Sequence, residues 1–244
     1  MSLAVHRRTP TLLNAFSEPK SVSAKNEDSF AVSDDGLRYA VSDGASISFD
    51  SATWSTILAK RYLLDSQVDN RWISEALGEY VGLHNREDLP WMMQAAFDRG
   101  SFASLIGLSI QEDGSEVEVV CVGDSAFALF DGSNMIEFLP YSKPEEFDSS
   151  PILISTNPAE NSWFADEDAN VLVRRIQLVE FSRPHLLMMT DALARWLLEG
   201  PADEKFERLS GLSNQASFSE FVVEERAKGS LARDDTTMVL IELV

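Results

Sequence analysis

The sequence predicts an α+β layered domain, with strands paired through hairpins and helices in separate blocks, rather than a parallel sheet. Two observations carry this. Asp-Gly dipeptides at Asp35-Gly36, Asp113-Gly114 and Asp131-Gly132 each lie between stretches rich in Val, Leu, Phe or Ile, the strongest short-range hairpin signal. Between and beyond those stretches run segments whose apolar residues recur at helical spacing.

The first hairpin spans 28–43, with Asp35-Gly36 as its two-residue turn. In "DSATWSTILAKRYLLDS", Trp54, Ile57, Leu58 and Tyr62 predict a helix that Asp50 or Ser51 would cap. Residues 71–82 and 90–100 predict two more helices. Hairpins follow at 103–122 and 126–139, and together they read as a meander. The segment 140–170 carries Pro144, Pro151 and Pro158 with little periodicity and reads as an irregular flap within a single domain over 1–244. Strands are expected at 171–178, 185–190 and 236–243. Before the last, "FSEFVVEERAK" puts Phe218, Phe221 and Val222 on one helix face, and Gly229 stops it. Trp72, Trp91 and Trp196 fall in helical patterns and are expected in the core.

Composition narrows the function. Asp plus Glu number 40 against 20 Lys plus Arg, a net charge of −20, which excludes a general phosphate-neutralising surface for nucleic acid. No apolar run is long enough to span a membrane, and the N-terminus shows no signal-peptide core. A single cysteine, Cys121, excludes an internal disulfide framework and, with those absences, places the chain in the cytoplasm.

The acids are placed informatively. With Asp35-Gly36 as the turn, counting back along both strands sets Asp28 opposite Asp43, with Cβ atoms about 4.5–5.5 Å apart. Two like charges at that range repel by about 1 kcal/mol in water and by several times more where solvent is partly excluded. A divalent cation reverses the sign, and Glu27 adds a third carboxylate. Asp191 follows the apolar stretch "HLLMMT", Asp234 and Asp235 precede "TTMVLIEL", and Asp124 sits between two strands in "VGDSAF". Any one such acid is more often a turn or cap residue. Several converging on one end of a sheet pair suit Mg²⁺ or Mn²⁺, because the set is all oxygen.

The order "NED", "DG", "GDS", "TDAL", "RDDTT" from Asn26 to about Leu243 resembles the metal-dependent protein phosphatases, the type-2C serine/threonine family. "SFASLIGLSI" is similar to that family's Gly-Ser-Thr-Ala strand. The resemblance implies a four-layer α-β-β-α sandwich, two antiparallel sheets flanked by helices, with a dinuclear metal centre at one end. It implies metal roles for Glu27, Asp28, Asp43 (bridging), the Gly44 carbonyl, Asp191 and Asp234. Asp124 would serve a weaker third ion. The chemistry implied is attack on phosphoserine or phosphothreonine by a water activated between two Mn²⁺ or Mg²⁺ ions, with Asp43 and Asp191 acting through that water. The substrate implied is a phosphoprotein, the product of a serine/threonine kinase.

The chain also departs from the family pattern. Ser23 stands where a phosphate-gripping arginine is usual, and Arg195 stands where an acid is usual. Lys20, Lys25 or Arg195 is left to contact substrate phosphate, and the two lysines lack the bidentate arginine fork. These departures keep two alternatives open: a weakly active or inactive phosphoprotein-binding relative, and a small phosphate-ester hydrolase of the same fold. His185 reads as structural on its strand, and His6 and His84 carry no assigned role. "ENSWF" and Arg174-Arg175 read as a capped turn and solvated strand positions, and Ser125 lacks a nucleophile elbow.

Overall fold

Period-two alternation on the central strands decides the layers. The structure, a computed structural model, describes residues 7–165 and 171–244, so His6 and the last residues of the 140–170 flap lie outside it. In chain order the elements are β1 Pro10–Glu18, β2 Ser29–Val32, β3 Arg38–Ser42, α1 Ser51–Leu64, α2 Asn70–Leu83 and α3 Trp91–Arg99. There follow β4 Phe102–Ala103, β5 Leu105–Ile110, β6 Glu116–Val122, β7 Ala126–Asp131, β8 Asn134–Leu139, β9 Ile154–Ser155 and β10 Leu172–Gln177. The chain closes with β11 Pro184–Met189, α4 Asp191–Leu198, α5 Ala202–Ser210, α6 Gln215–Lys228 and β12 Thr236–Leu243.

Among the described residues the long strands form two five-stranded antiparallel sheets, ordered β1-β12-β11-β7-β8 and β10-β6-β5-β3-β2. Leu187 and Met189 of β11 pack with Trp196, Phe206, Phe218 and Phe221 from α4, α5 and α6. The alternate residues Leu186 and Met188 meet Val41, Ile106 and Val119 of the other sheet. That sheet's outer face, with Ala40 and Leu105, packs on Trp54, Leu58 and Tyr62 of α1 and Trp72 of α2. The result is the expected four-layer α-β-β-α sandwich. Each large side chain buried this way contributes roughly 1.5–3 kcal/mol against the ordering cost.

The 28–43 hairpin keeps its expected register on a different loop. Ser29 pairs with Ser42 and Val32 with Tyr39, as the count required. The loop has four residues, Asp34 to Leu37, closed by Ser33 N–H to Arg38 O. Gly36 alone takes positive φ (66°), and the Asp35 carboxylate accepts from Leu37 N. Growing the loop by one residue on each side preserves every pair above it. The third hairpin turns on Gly132-Ser133 instead of Asp131-Gly132, because Asp131 still pairs with Asn134.

The expected meander is corrected. β6 and β7 belong to different sheets, so Gly123-Asp124-Ser125 carries the chain across the sandwich. Strand β1 was not expected from the sequence; of its residues only Phe16 is buried, and it lies at a sheet edge. Helix α5 is not expected from the sequence, and α4 is foreshadowed only by the helical pattern around Trp196. The flap holds β9, paired with β4, and two short 3-10 turns at Pro144–Asp148 and Pro158–Ala165. Trp72 and Trp196 are buried, but Trp91 is 79% exposed on α3, a helix with no buried residue.

Candidate functional site

Four of the expected acids meet at one end of the paired sheets. Asp43 leaves β3, Asp124 sits on the crossing from β6 to β7, Asp191 starts α4 directly after β11, and Asp234 precedes β12. All four line one cavity of about 210 Å³ with Gly44, Ala45, Ser46, Pro151 and Leu153. No arginine, lysine or histidine is among the lining residues. Neighbouring strands of an antiparallel pair of sheets deliver these carboxylates because each strand ends at the same edge of the sandwich.

Asp28 is not among the lining residues, but its charge acts on Asp43. Its Oδ2 accepts from Thr190 Oγ1 (3.0 Å) and Thr237 Oγ1 (2.8 Å), while Oδ1 is buried with no hydrogen-bond partner. Thr190 Oγ1 also accepts from Thr237 N (3.0 Å), so the residue before Asp191 and the second residue of β12 together fix Asp28. Sequence reasoning missed both threonines, although each stands close to an acid in "TDAL" and "DDTT".

The electrostatics follow from this crowding. Burial, then the charges of Asp28, Asp191, Asp124 and Asp234, push the Asp43 carboxyl well above its ordinary value. Burial raises Asp28 to about 8 and Asp124 to about 7, with Asp235 and Asp191 adding to the first and Asp191 to the second. Asp191 is raised by burial and then by Asp234. Buried acids with raised values and no cationic partner are the pattern a cation would relieve.

Gly44 is fixed by close approach. A Cβ there would meet the Ser51 carbonyl oxygen at 2.7 Å and that of Glu27 at 2.8 Å, so any side chain would force backbone apart. The orphaned Asp28 oxygen, the all-oxygen donors and this cradle fit a hard divalent cation. The carboxylates ring the cavity, and among the described residues no three of them close into a ready coordination shell.

Other expected residues go elsewhere. Glu27 does not line the cavity. Its carboxylate is held by Lys20 Nζ, Ser46 Oγ and Ser51 Oγ, and these bonds outweigh burial to keep its pKa low. Asp235, the neighbour of Asp234, is turned inward and accepts from Lys20 N (2.6 Å) and Glu27 N (2.7 Å). Lys20 is therefore committed to Glu27, although its Nζ also reaches Ser46 (2.6 Å) at the cavity rim. Lys25 pairs with Asp50 (2.9 Å) and is solvent-facing. Arg195 binds Asp148 (2.6 Å) and Glu199 (2.9 Å), so it ties the flap to α4 and does not line the cavity.

The remaining polar side chains make contacts away from the cavity. His185 Nδ1 lies 2.9 Å from Arg183 O, and burial lowers its pKa. His84 packs at a tilt against Tyr80, with ring centres 4.6 Å apart, and sets Nε2 3.2 Å from Asp50. Asn161 closes a turn on Ser155 through both its amide atoms, and Arg174 and Arg175 form surface pairs with Glu137 and Glu118. No helix among the described residues is long and apolar enough to cross a membrane.

No protein-family model matches the sequence, and no curated protein matches it. Solved structures do. The serine/threonine phosphatase Stp1 from Staphylococcus aureus is similar over 95% of both chains at 15% identity, with a TM-score of 0.61. The catalytic domain of the serine threonine protein phosphatase PstP, solved with 2 manganese ions, is similar over 97% of this chain and 100% of that one at 18% identity, TM-score 0.58. The photosystem II phosphatase PBCP is similar over 97% and 99% at 15% identity, TM-score 0.58. The chain thus has the fold of the type-2C serine/threonine phosphatases, with an acidic cavity at one end of its sandwich.

Proposed function

We propose that the protein is a metal-dependent phosphoprotein phosphatase acting on phosphoserine or phosphothreonine, one domain over 1–244, working in the cytoplasm on the product of a serine/threonine kinase. The observation that carries this reading is the ring of Asp43, Asp124, Asp191 and Asp234 around one cavity without a cationic partner among its lining residues, in a chain with the fold of serine/threonine phosphatases. Asp43, Asp191, Asp234 and the Gly44 carbonyl would hold two Mn²⁺ or Mg²⁺ ions, and Asp124 a weaker third. PstP, similar in fold, was solved with 2 manganese ions. Ions bound there would acidify a water and offset charge on the phosphoryl oxygens. Asp43 and Asp191 would orient the attacking water. Asp28, steadied by Thr190 and Thr237 through Oδ2 and with Oδ1 left unpartnered, would complete the ligand set.

Glu27 has a different part in this reading. Bound to Lys20, Ser46 and Ser51, it braces Ser46 of the cavity lining and would hold Lys20 beside that rim. One observation favours a second reading, a phosphoprotein-binding relative with little turnover: the lining holds no arginine or lysine to grip phosphate.

The deciding assay gives the protein an aryl phosphate and a phosphopeptide with Mn²⁺ or with chelator, beside Asp43→Asn. Mn²⁺-dependent hydrolysis lost in the variant is the expected result. Mn²⁺ binding without hydrolysis transfers the case to the binding module. Absence of both removes the metal-centre reading altogether.

A further inference from the structure

A second depression, of about 460 Å³, opens beside the acidic cavity. Pro140, Tyr141, Ser150, Pro151, Ile152 and Leu172 are among its lining, and among the described residues no charged side chain lines it. The two spaces are neighbours. Pro151 lines both, and Gly123 of the groove is followed in the chain by Asp124 of the cavity. On a chain of net charge −20, a hollow whose described lining is uncharged, set against an acidic one, is a sharp change of chemistry.

The lip between them is anchored on both sides. Before it, Arg195 binds Asp148 (2.6 Å) and holds the flap on α4. After it, Trp54 Nε1 donates to Ile154 O (2.8 Å), and β9 pairs with β4. Ile152 and Leu172 are 41% and 38% exposed, so apolar surface stands ready in a fixed position. A preset site spends little ordering entropy on its ligand. A charged side chain entering it would lose water and find only the neutral Tyr141 and Ser150 among the described lining, whereas an apolar one gains by burial against Pro151, Ile152 and Leu172.

We propose that this groove receives an apolar side chain close in sequence to the phosphorylated residue, so that the substrate is an extended polypeptide segment rather than a small phosphate ester. The inference rests on the phosphatase reading for what occupies the cavity. Its occupant is a peptide because the groove lies outside the cavity yet shares a wall with it, within the reach of a flanking side chain. The expected effect is a preference of about 10- to 100-fold for an apolar over a polar residue at the matching position.

The test uses the full chain with Mn²⁺ and a set of phosphoserine peptides in which a single leucine is walked along a Gly/Ser scaffold on either side of the phosphoserine. Both dissociation constant and kcat/KM are read, with an aryl phosphate as the check on hydrolysis itself. One register is expected to bind and turn over about 10- to 100-fold better than the scaffold, and Ile152→Asp is expected to erase that ratio. Equal binding and equal kcat/KM for every register overturns the groove while leaving the phosphatase standing. A leucine preference in binding, with neither peptide nor aryl phosphate hydrolysed, keeps the groove and removes the phosphatase. A preference that survives in Ile152→Asp also overturns the proposal, because the selectivity then arises elsewhere.

Discussion

Glu225 and the cavity aspartates are buried acids of one molecule in opposite circumstances. Glu225, 4% exposed on α6, accepts from Ser230 Oγ (2.6 Å), Trp196 Nε1 (2.9 Å), Lys228 Nζ (3.0 Å) and Arg208 (3.0 Å). Burial alone would raise it, but these partners hold it down at about 2. Asp28 and Asp124, with no cation to meet, are pushed to about 8 and about 7. Burial is common to both regions, so what separates them is the partner. One region is complete within the chain, and the other has no cation among its described lining residues.

The same contrast divides two neighbours. Asp234 faces the cavity, while Asp235 bonds the backbone at Lys20 and Glu27. The largest expected effect breaks the incomplete region: Asp43→Asn should lower Mn²⁺-dependent turnover of an aryl phosphate by at least about 100-fold. Because that change also relieves repulsion, thermal melting of the metal-free variant at pH 8 should show no loss of stability. A clear loss would place Asp43 with the structural acids.

In the complete region, Glu225→Ala strands Arg208, Lys228 and the buried Trp196 N–H. It should cost about 2–4 kcal/mol by denaturant unfolding, discounted from a fully buried pair because both cations are partly exposed. Its Mn²⁺ affinity should match that of the unaltered chain. Asp235→Asn removes the charge from two backbone bonds and should cost about 1.5–3 kcal/mol. Asp234→Asn should instead weaken Mn²⁺ binding at little cost in stability. Equal stability losses in this pair would erase the distinction between the neighbours.

The two regions also predict opposite responses to pH. Raised carboxyls bind protons in the folded state that the unfolded state has released. The metal-free protein should therefore lose stability as pH rises from about 4 towards about 8, and Mn²⁺ should restore most at the upper end. Glu225, with a lowered value, contributes stability that is present above about pH 4.5 and is lost as pH falls towards 2. Melting across pH with and without Mn²⁺ checks both signs. Smallest of all, Lys25→Ala removes an exposed partner of Asp50 and should change stability by less than about 0.5 kcal/mol.

Much of this contrast was legible in the sequence, and the gaps have physical causes. The Asp28–Asp43 register was readable because it depends on the sum of paired positions, which a symmetric change in loop length leaves intact. Asp124 was found, but its role in crossing between sheets was not, since adjacent strands usually pair and nothing local in "VGDSAF" says otherwise. Strand β1 hid because an edge strand with one buried residue shows little alternation. Lys20, Lys25 and Arg195 were legible as positive charges near the site, but their partners Glu27, Asp50 and Asp148 are a matter of tertiary placement. Trp91 misled for the same reason, since helical spacing does not say whether a face is covered.

The claim that the cavity acids await a cation is tested most directly by calorimetric titration of Mn²⁺ into the metal-free protein near pH 7, repeated in buffers of different ionisation heat. Asp28 and Asp124, raised to about 8 and about 7, hold protons there that a bound cation would displace. Saturable binding of two ions with proton release is expected, and a loss of both in Asp43→Asn. Absence of binding, or binding that releases no protons and survives in Asp43→Asn, would contradict it.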